Sequence, residues 1–218
     1  MMEKLFVLII VIFLAVLFLT IGKGIANKKF AISAFWGGLY GERGVARLLR
    51  SLDSRKYKVY NDILIKTSSG TGQIDHIVVS PYGIFVIETK HFTGLITGHD
   101  DWASWYWSQK SEKKKIYSPV LQDLRHVDIL SSITGIDKKL FIPVVVFTGK
   151  AHIHIDTCHA VLFAGQLIPF IKLFRNETLS SVHTEKCCKI IEKRNITDKR
   201  IRENHISYVN EIRKHYGR

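Results

Sequence analysis

The chain has 218 residues, 46% of them hydrophobic, and 32 Lys/Arg against 19 Asp/Glu give a formal net charge of +13. That length suits one anchor and one domain with a real core, and the positive surplus suits an anionic partner, nucleic acid or a lipid surface. Three cysteines (Cys158, Cys187, Cys188) without a Cys-x-x-Cys pair exclude a zinc ribbon and a disulfide framework and fit a reducing compartment.

Leu5 to Ile21 is almost purely apolar. Seventeen residues at about 1.5 Å each span roughly 25 Å, the short end of the membrane-crossing range. Lys23, Lys28 and Lys29 follow the segment, and this cation excess predicts a single-pass anchor with the following domain on the cytoplasmic side of the cell membrane. Gly24-Ile-Ala26 offers a signal-peptidase site, but the basic flank opposes export, so an uncleaved anchor is expected. The resulting division is an anchor over 1–22, a linker over 23–37, a globular domain over 38–165 and a basic helical extension over 166–218.

Within the domain, Val45, Leu48, Leu49 and Leu52 predict an amphipathic helix over 40–52. A strand follows over 57–66, then a loop over 68–72. Trp102, Trp105 and Trp107 read as a strand packing on a sheet, with a base-stacking platform as the functional alternative. Lys110, Lys113, Lys114 and Lys115 come next; such a cluster is usually a solvated loop, and beside a phosphodiester site it would also steer a nucleic-acid backbone. Residues 119–134 read as a helix and 140–147 as a buried central strand. His152-Ile-His154-Ile-Asp156 alternates as a strand does, which explains the two histidines more simply than a metal pair. Short helices over 167–174 and 185–194 precede a last helix capped by Thr197-Asp198. Residues 172–218 carry twelve Lys/Arg against six Asp/Glu.

The most informative stretch is Gly72-Gln-Ile-Asp-His-Ile-Val-Val-Ser-Pro-Tyr-Gly-Ile-Phe-Val-Ile-Glu-Thr-Lys90. Two β-branched runs flank turn chemistry at 80–83, which predicts a hairpin with Val79 facing Ile84. That register sets Asp75 opposite Glu88, and Gln73 opposite Lys90 on the same face. Facing carboxylates repel unless a cation lies between them, and a divalent metal is the simplest answer. Against it stands the ordinary explanation of an acidic strand face with a rim ion pair.

The stretch resembles the nuclease-related domain family, a branch of the PD-(D/E)xK nucleases. The resemblance rests on Gly41-Glu42-Arg43-Gly44, Gln73-Ile74-Asp75-His76, Ile87-Glu88-Thr89-Lys90, Gly94, Trp107 and Pro119-Val-Leu-Gln122-Asp-Leu-Arg-His126. Ile74 stands where the superfamily's name has Pro. The resemblance implies an α/β fold: a PD-(D/E)xK nuclease-like core, α-β-β-β-α-β, with a mixed central sheet flanked by helices, here preceded by one transmembrane helix. It implies that Asp75, Glu88 and the Thr89 carbonyl hold Mg²⁺ or Mn²⁺. Lys90 acts on the attacking water or the developing charge, Glu42 joins from the first helix, and Gln122 joins from the helix after the sheet. His76 and His126 are left outside the metal shell as packing or hydrogen-bonding residues.

The expected function is a membrane-anchored, metal-dependent nuclease acting on DNA rather than RNA. A nucleic-acid-binding or membrane-associated scaffold that keeps the fold without hydrolysis is the alternative. Oligomeric state stays open; a homodimer is compatible, since cutting both strands commonly pairs two sites.

Overall fold

The computed structural model describes residues 41–68 and 70–216, with side chains through Glu211. The expected anchor at 5–21 and linker at 23–37 lie outside the described residues. Among the described residues no helix is long and apolar enough to cross a membrane.

The fold is mixed α/β with two mixed sheets and five described helices. A helix over 41–49 (α1) leads into β1 (Lys58–Thr67), β2 (Gly70–Ser80) and β3 (Gly83–Lys90). Then come β4 (Gly94–His99), β5 (Ser104–Gln109) and β6 (Glu112–Tyr117), followed by α2 (Pro119–Thr134) and β7 (Phe141–Phe147). The chain finishes with β8 (Ala151–Asp156), β9 (Ala160–Phe163), α3 (Ala164–Ile171), α4 (Ser181–Arg194) and α5 (Lys199–Tyr216).

The first sheet has the order β1-β2-β3-β7-β9, antiparallel up to β3 and parallel beyond it. One face carries Ile77, Val79, Ile84 and Val86 against Val127 and Leu130 of α2 and Cys187 and Ile191 of α4. The other carries Val78, Phe85, Ile87, Val144 and Val146 against Val45 and Leu49 of α1 and Leu167 and Ile171 of α3. A sheet covered on both faces needs continuous apolar strands, and the runs in β3 and β7 supply them. α2 starts on a Ser118 side-chain cap with Pro119 in its first turn and stops at Gly135, whose left-handed φ of 66° suits glycine.

Where one sheet was expected, there are two. The insertion β4–β6 joins β8 in a second sheet of order β6-β5-β4-β8. It buries Trp105 and Trp107 with Ile96 against Val120, Val145 and Phe147, a third core in which the two indoles are the largest side chains. Trp102, by contrast, is 48% exposed. Two local expectations are corrected. Of the loop expected over 68–72, residues 70–72 are strand, because β1 and β2 pair out to Thr67↔Gly70. Lys113, Lys114 and Lys115 are strand rather than loop: they pair with Ser108, Trp107 and Tyr106. Alternation then points Lys113 and Lys115 outward beside Tyr106, while the tryptophans point in. Beyond residue 165, the chain contributes Leu167, Ile171, Leu179, Cys187 and Ile191 to the two main cores, so α3 and α4 are structural parts of the domain.

Candidate active site

The β2–β3 hairpin has the expected register: Ser80↔Gly83, Val79↔Ile84 and onward to His76↔Ile87. Continued by one pair it sets Asp75 against Glu88. At that point a side chain takes over from the backbone ladder, and the Thr89 N–H donates to Asp75 Oδ2 at 2.7 Å. A strand N–H points along the sheet, so the Asp75 carboxyl lies beside β3 in the plane of the sheet, where the two strands part. The expected partnership of Gln73 and Lys90 is not formed. Gln73 pairs with Leu64 of β1 and donates to Asp62 Oδ1 at 2.9 Å. Asp62 sits at φ 54° on β1, and around it the strands exchange faces: Tyr60 and Ile63, and likewise Ile77 and Ile74, lie in the same core despite their odd spacing. Simple alternation cannot foresee that exchange.

Glu88 and Lys90 share the α2 face of β3 with Ile84 and Val86. Lys90 Nζ bonds Glu88 Oε1 at 2.5 Å and Gln122 Oε1 at 2.9 Å, so one ammonium ties strand to helix. The same helix brings two residues that the motifs did not assign to the site. Asp123, with no exposed surface, accepts the Val144 N–H on Oδ2 at 2.7 Å. His126 places Nδ1 3.7 Å from Glu88 Oε2 and 3.9 Å from Asp123 Oδ1. Glu88 Oε2, Asp123 Oδ1 and His126 Nδ1 are buried with no hydrogen-bond partner. A signal was available: Asp123 and His126 sit on the buried stripe of α2 with Val120, Val127 and Leu130, where a carboxyl has no ordinary reason to be. On the other side, a Cβ on Gly41 would come 2.6 Å from Thr148 Oγ1, so glycine lets α1 approach the ends of β3 and β7. Glu42 follows it, close enough that its charge acts on Asp75.

The electrostatics follow from this crowding. Burial, then the charge of Glu88, then that of Glu42, push the Asp75 carboxyl well above its usual value, against the pull of Lys90. Asp123 is raised by burial and by Glu88. Burial lowers His126, with Glu88 opposing. Asp75, Glu88 and Asp123 therefore crowd together with the ammonium of Lys90, and Glu42 adds its charge to Asp75.

A nuclease-related domain profile matches residues 37–148, just over half of the chain and every element that carries this site. The chain belongs to the nuclease-related domain family. An uncharacterized protein of Bacillus anthracis is 30% identical to it over 180 residues, which is 80% of this chain and 84% of that protein. No solved structure matches.

In this nuclease-related domain the donor set suits a hard divalent cation. The oxygens are carboxylates, two of them (Glu88 Oε2 and Asp123 Oδ1) are buried with no hydrogen-bond partner, and burial together with the charges of Glu88 and Glu42 holds the Asp75 carboxyl high. The sequence-predicted residues Glu42, Asp75, Glu88, Thr89, Lys90 and Gln122 are brought to one place. Lys110, Lys113, Lys114 and Lys115 lie on the β5–β6 hairpin, at the edge of the second sheet. The hairpin turn is nevertheless held near the end of β3: Trp107 Nε1 donates to the Thr93 carbonyl at 2.5 Å, and Thr93 Oγ1 reaches Gln109 at 3.4 Å. His152 and His154 are exposed on β8, as strand alternation requires.

Proposed function

We propose that this nuclease-related domain hydrolyses phosphodiester bonds in nucleic acid, DNA in preference to RNA, with Mg²⁺ or Mn²⁺, and that residues 5–21 hold it on the cytoplasmic face of a membrane. The observation that carries the reading is geometric: Asp75 accepts the Thr89 N–H at 2.7 Å at the end of the hairpin ladder, and next to it Lys90 bonds both Glu88 and Gln122. Asp75 and Glu88 would hold the ion, with the Thr89 carbonyl and Glu42 completing its shell. The ion supplies an acidified water and positive charge at the phosphate. Lys90, clamped between Glu88 and Gln122, presents its remaining N–H donors to the attacking water or to a phosphate oxygen. Asp75 fixes the Thr89 backbone, and Asp123 fixes β7 against α2, so the strand and helix that carry these groups cannot slide apart. The lysines of the β5–β6 hairpin would steer the phosphate backbone, and the exposed Trp102 would offer a stacking face. The membrane assignment is supported by the apolar run Leu5–Ile21 and the lysines that follow it.

The Lys90–Glu88 ion pair favours one competing reading, a binding module without turnover, because it gives Glu88 a counter-charge from the protein itself. Plasmid and single-stranded DNA and RNA incubated with the protein, with and without Mg²⁺ or Mn²⁺, separate the two. Metal-dependent cleavage that Asp75→Ala abolishes is expected. Binding without cleavage, unchanged by Asp75→Ala, would leave the binding module.

A further inference from the structure

At the far end of the second sheet from Lys90, a separate cluster brings together three different ligand types. Strands β4 and β8 run parallel and end on His99↔Asp156. The residues just beyond, Asp100 on one strand end and Thr157-Cys158-His159 on the other, fold onto each other. A ring nitrogen of His159, the Cys158 sulfur and an Asp100 carboxylate oxygen all lie within 4.8 Å of one another. Six residues of β4, a rise of about 20 Å, separate this cluster from the end of β3.

We infer that Asp100, Cys158 and His159 form a binding site for a zinc-class transition metal, independent of the carboxylate site. Three features support it. The donors are a thiolate, an imidazole and a carboxylate, a set that selects Zn²⁺ over Mg²⁺ or Ca²⁺, which take oxygen. Tetrahedral coordination at ordinary Zn–S and Zn–N lengths needs ligand atoms roughly 3.3–3.6 Å apart, and these three lie within 4.8 Å of one another. Asp100 is also partly committed and partly free. Its Oδ2 accepts the Cys158 N–H at 2.8 Å, which fixes the loop, while Oδ1 is buried without a hydrogen-bond partner. His99 is engaged by Asp101 and Asp156 at 3.4 Å each, which leaves the fourth position to water.

Binding is a proton exchange. A thiol must lose its proton to bind a metal, and Cys158 does so here. On binding, that proton goes to solvent and the sulfur bonds the metal, with no change of oxidation state. The consequence is structural. Residues 157–159 join β8 of the second sheet to β9 of the first, and Asp100 belongs to the β4–β5 turn, so a metal here staples the two sheets together.

The test is cobalt titration of the chelator-stripped full-length chain, with Co²⁺ as a coloured stand-in for Zn²⁺. One equivalent should develop a thiolate-to-cobalt charge-transfer band that Zn²⁺ bleaches, and cobalt held by carboxylates alone adds no such band. Cys158→Ser should remove the band, and Asp100→Asn and His159→Ala should each weaken binding at least about tenfold. Cys188→Ser should leave the band unchanged. Lack of the band in the parent, or a band of equal strength in Cys158→Ser carried by Cys187 or Cys188, overturns the inference. So does equal cobalt affinity across the Asp100, Cys158 and His159 variants.

Discussion

Two acid-bearing clusters lie beyond opposite ends of β4, and burial separates their chemistry. At the β3 edge, Asp75, Glu88 and Asp123 are packed among core residues, and desolvation together with their proximity raises Asp75 and Asp123 far from ordinary carboxylates. At the β4–β8 end, Asp100 shares a half-open loop with an exposed Cys158. Burial there pushes Asp100 upward, but hydrogen bonds from Thr157 and Cys158 outweigh it and hold the carboxyl low. The first cluster is strained by charge and calls for a hard cation. The second is relaxed and carries softer donors. A carboxylate's role here is set less by its identity than by how much water its neighbours leave it.

The largest effect that would break this contrast is at the buried end. Asp75→Ala or Glu88→Ala should lower metal-dependent cleavage by roughly a hundredfold or more, while Cys158→Ser leaves it within about twofold, measured as initial rates on plasmid DNA. Equal losses would show that the two clusters are one functional unit.

Next in size is a pH effect on stability. Burial holds His76 down at about 4 against an ordinary 6.5, with Nδ1 paired to Asn61 Oδ1 at 2.7 Å. A depressed folded value means the unfolded chain takes up the proton first. The stability it contributes is full above about pH 6.5 and is lost as pH falls toward 4, about 3 kcal/mol over that window. Urea melts of His76→Gln should lack that share of the acid loss.

The raised carboxyls act in the opposite sense. For Asp75 and Asp123 the folded value lies above the unfolded one. Their contribution is therefore full at acid pH and disappears as pH rises through the raised values. A divalent ion should reverse this, so the thermal shift caused by Mg²⁺ should grow from acid to neutral pH, reaching about 2.7 kcal/mol at roughly a hundredfold excess over Kd. Asp123→Ala, which also strands the buried Val144 N–H, should cost about 1–3 kcal/mol, and Asp123→Asn less, read from denaturant melts.

The smallest effect is at the surface. Replacing Lys113, Lys114 and Lys115 by Ala should weaken DNA binding without changing the metal requirement. The log–log salt slope should become shallower by up to about 0.9 for each phosphate that a lysine had neutralised.

Much of the site was legible from local pattern. Turn chemistry at Ser80–Gly83 and the two β-branched runs set the hairpin register, and register alone brings Asp75 to Glu88. Ser118, Pro119 and Gly135 bound α2, which delivers Gln122 to Lys90. These are near-neighbour effects, decided within a turn or a strand pair.

Tertiary packing decided the rest. Asp123 and His126 join the site because α2 lies on β3 and β7, and no helical period reveals what a buried stripe will face. β1 and β2 exchange faces around Asp62, whose Oδ2 is held by Arg202, 140 positions along the chain. Asp100 meets Cys158 across 58 positions because two parallel strands end together. Spacing and turn propensity act over a few residues and can be read from the sequence. Desolvation and the meeting of distant charges depend on which surfaces the folded chain closes against each other, and those exist only in three dimensions.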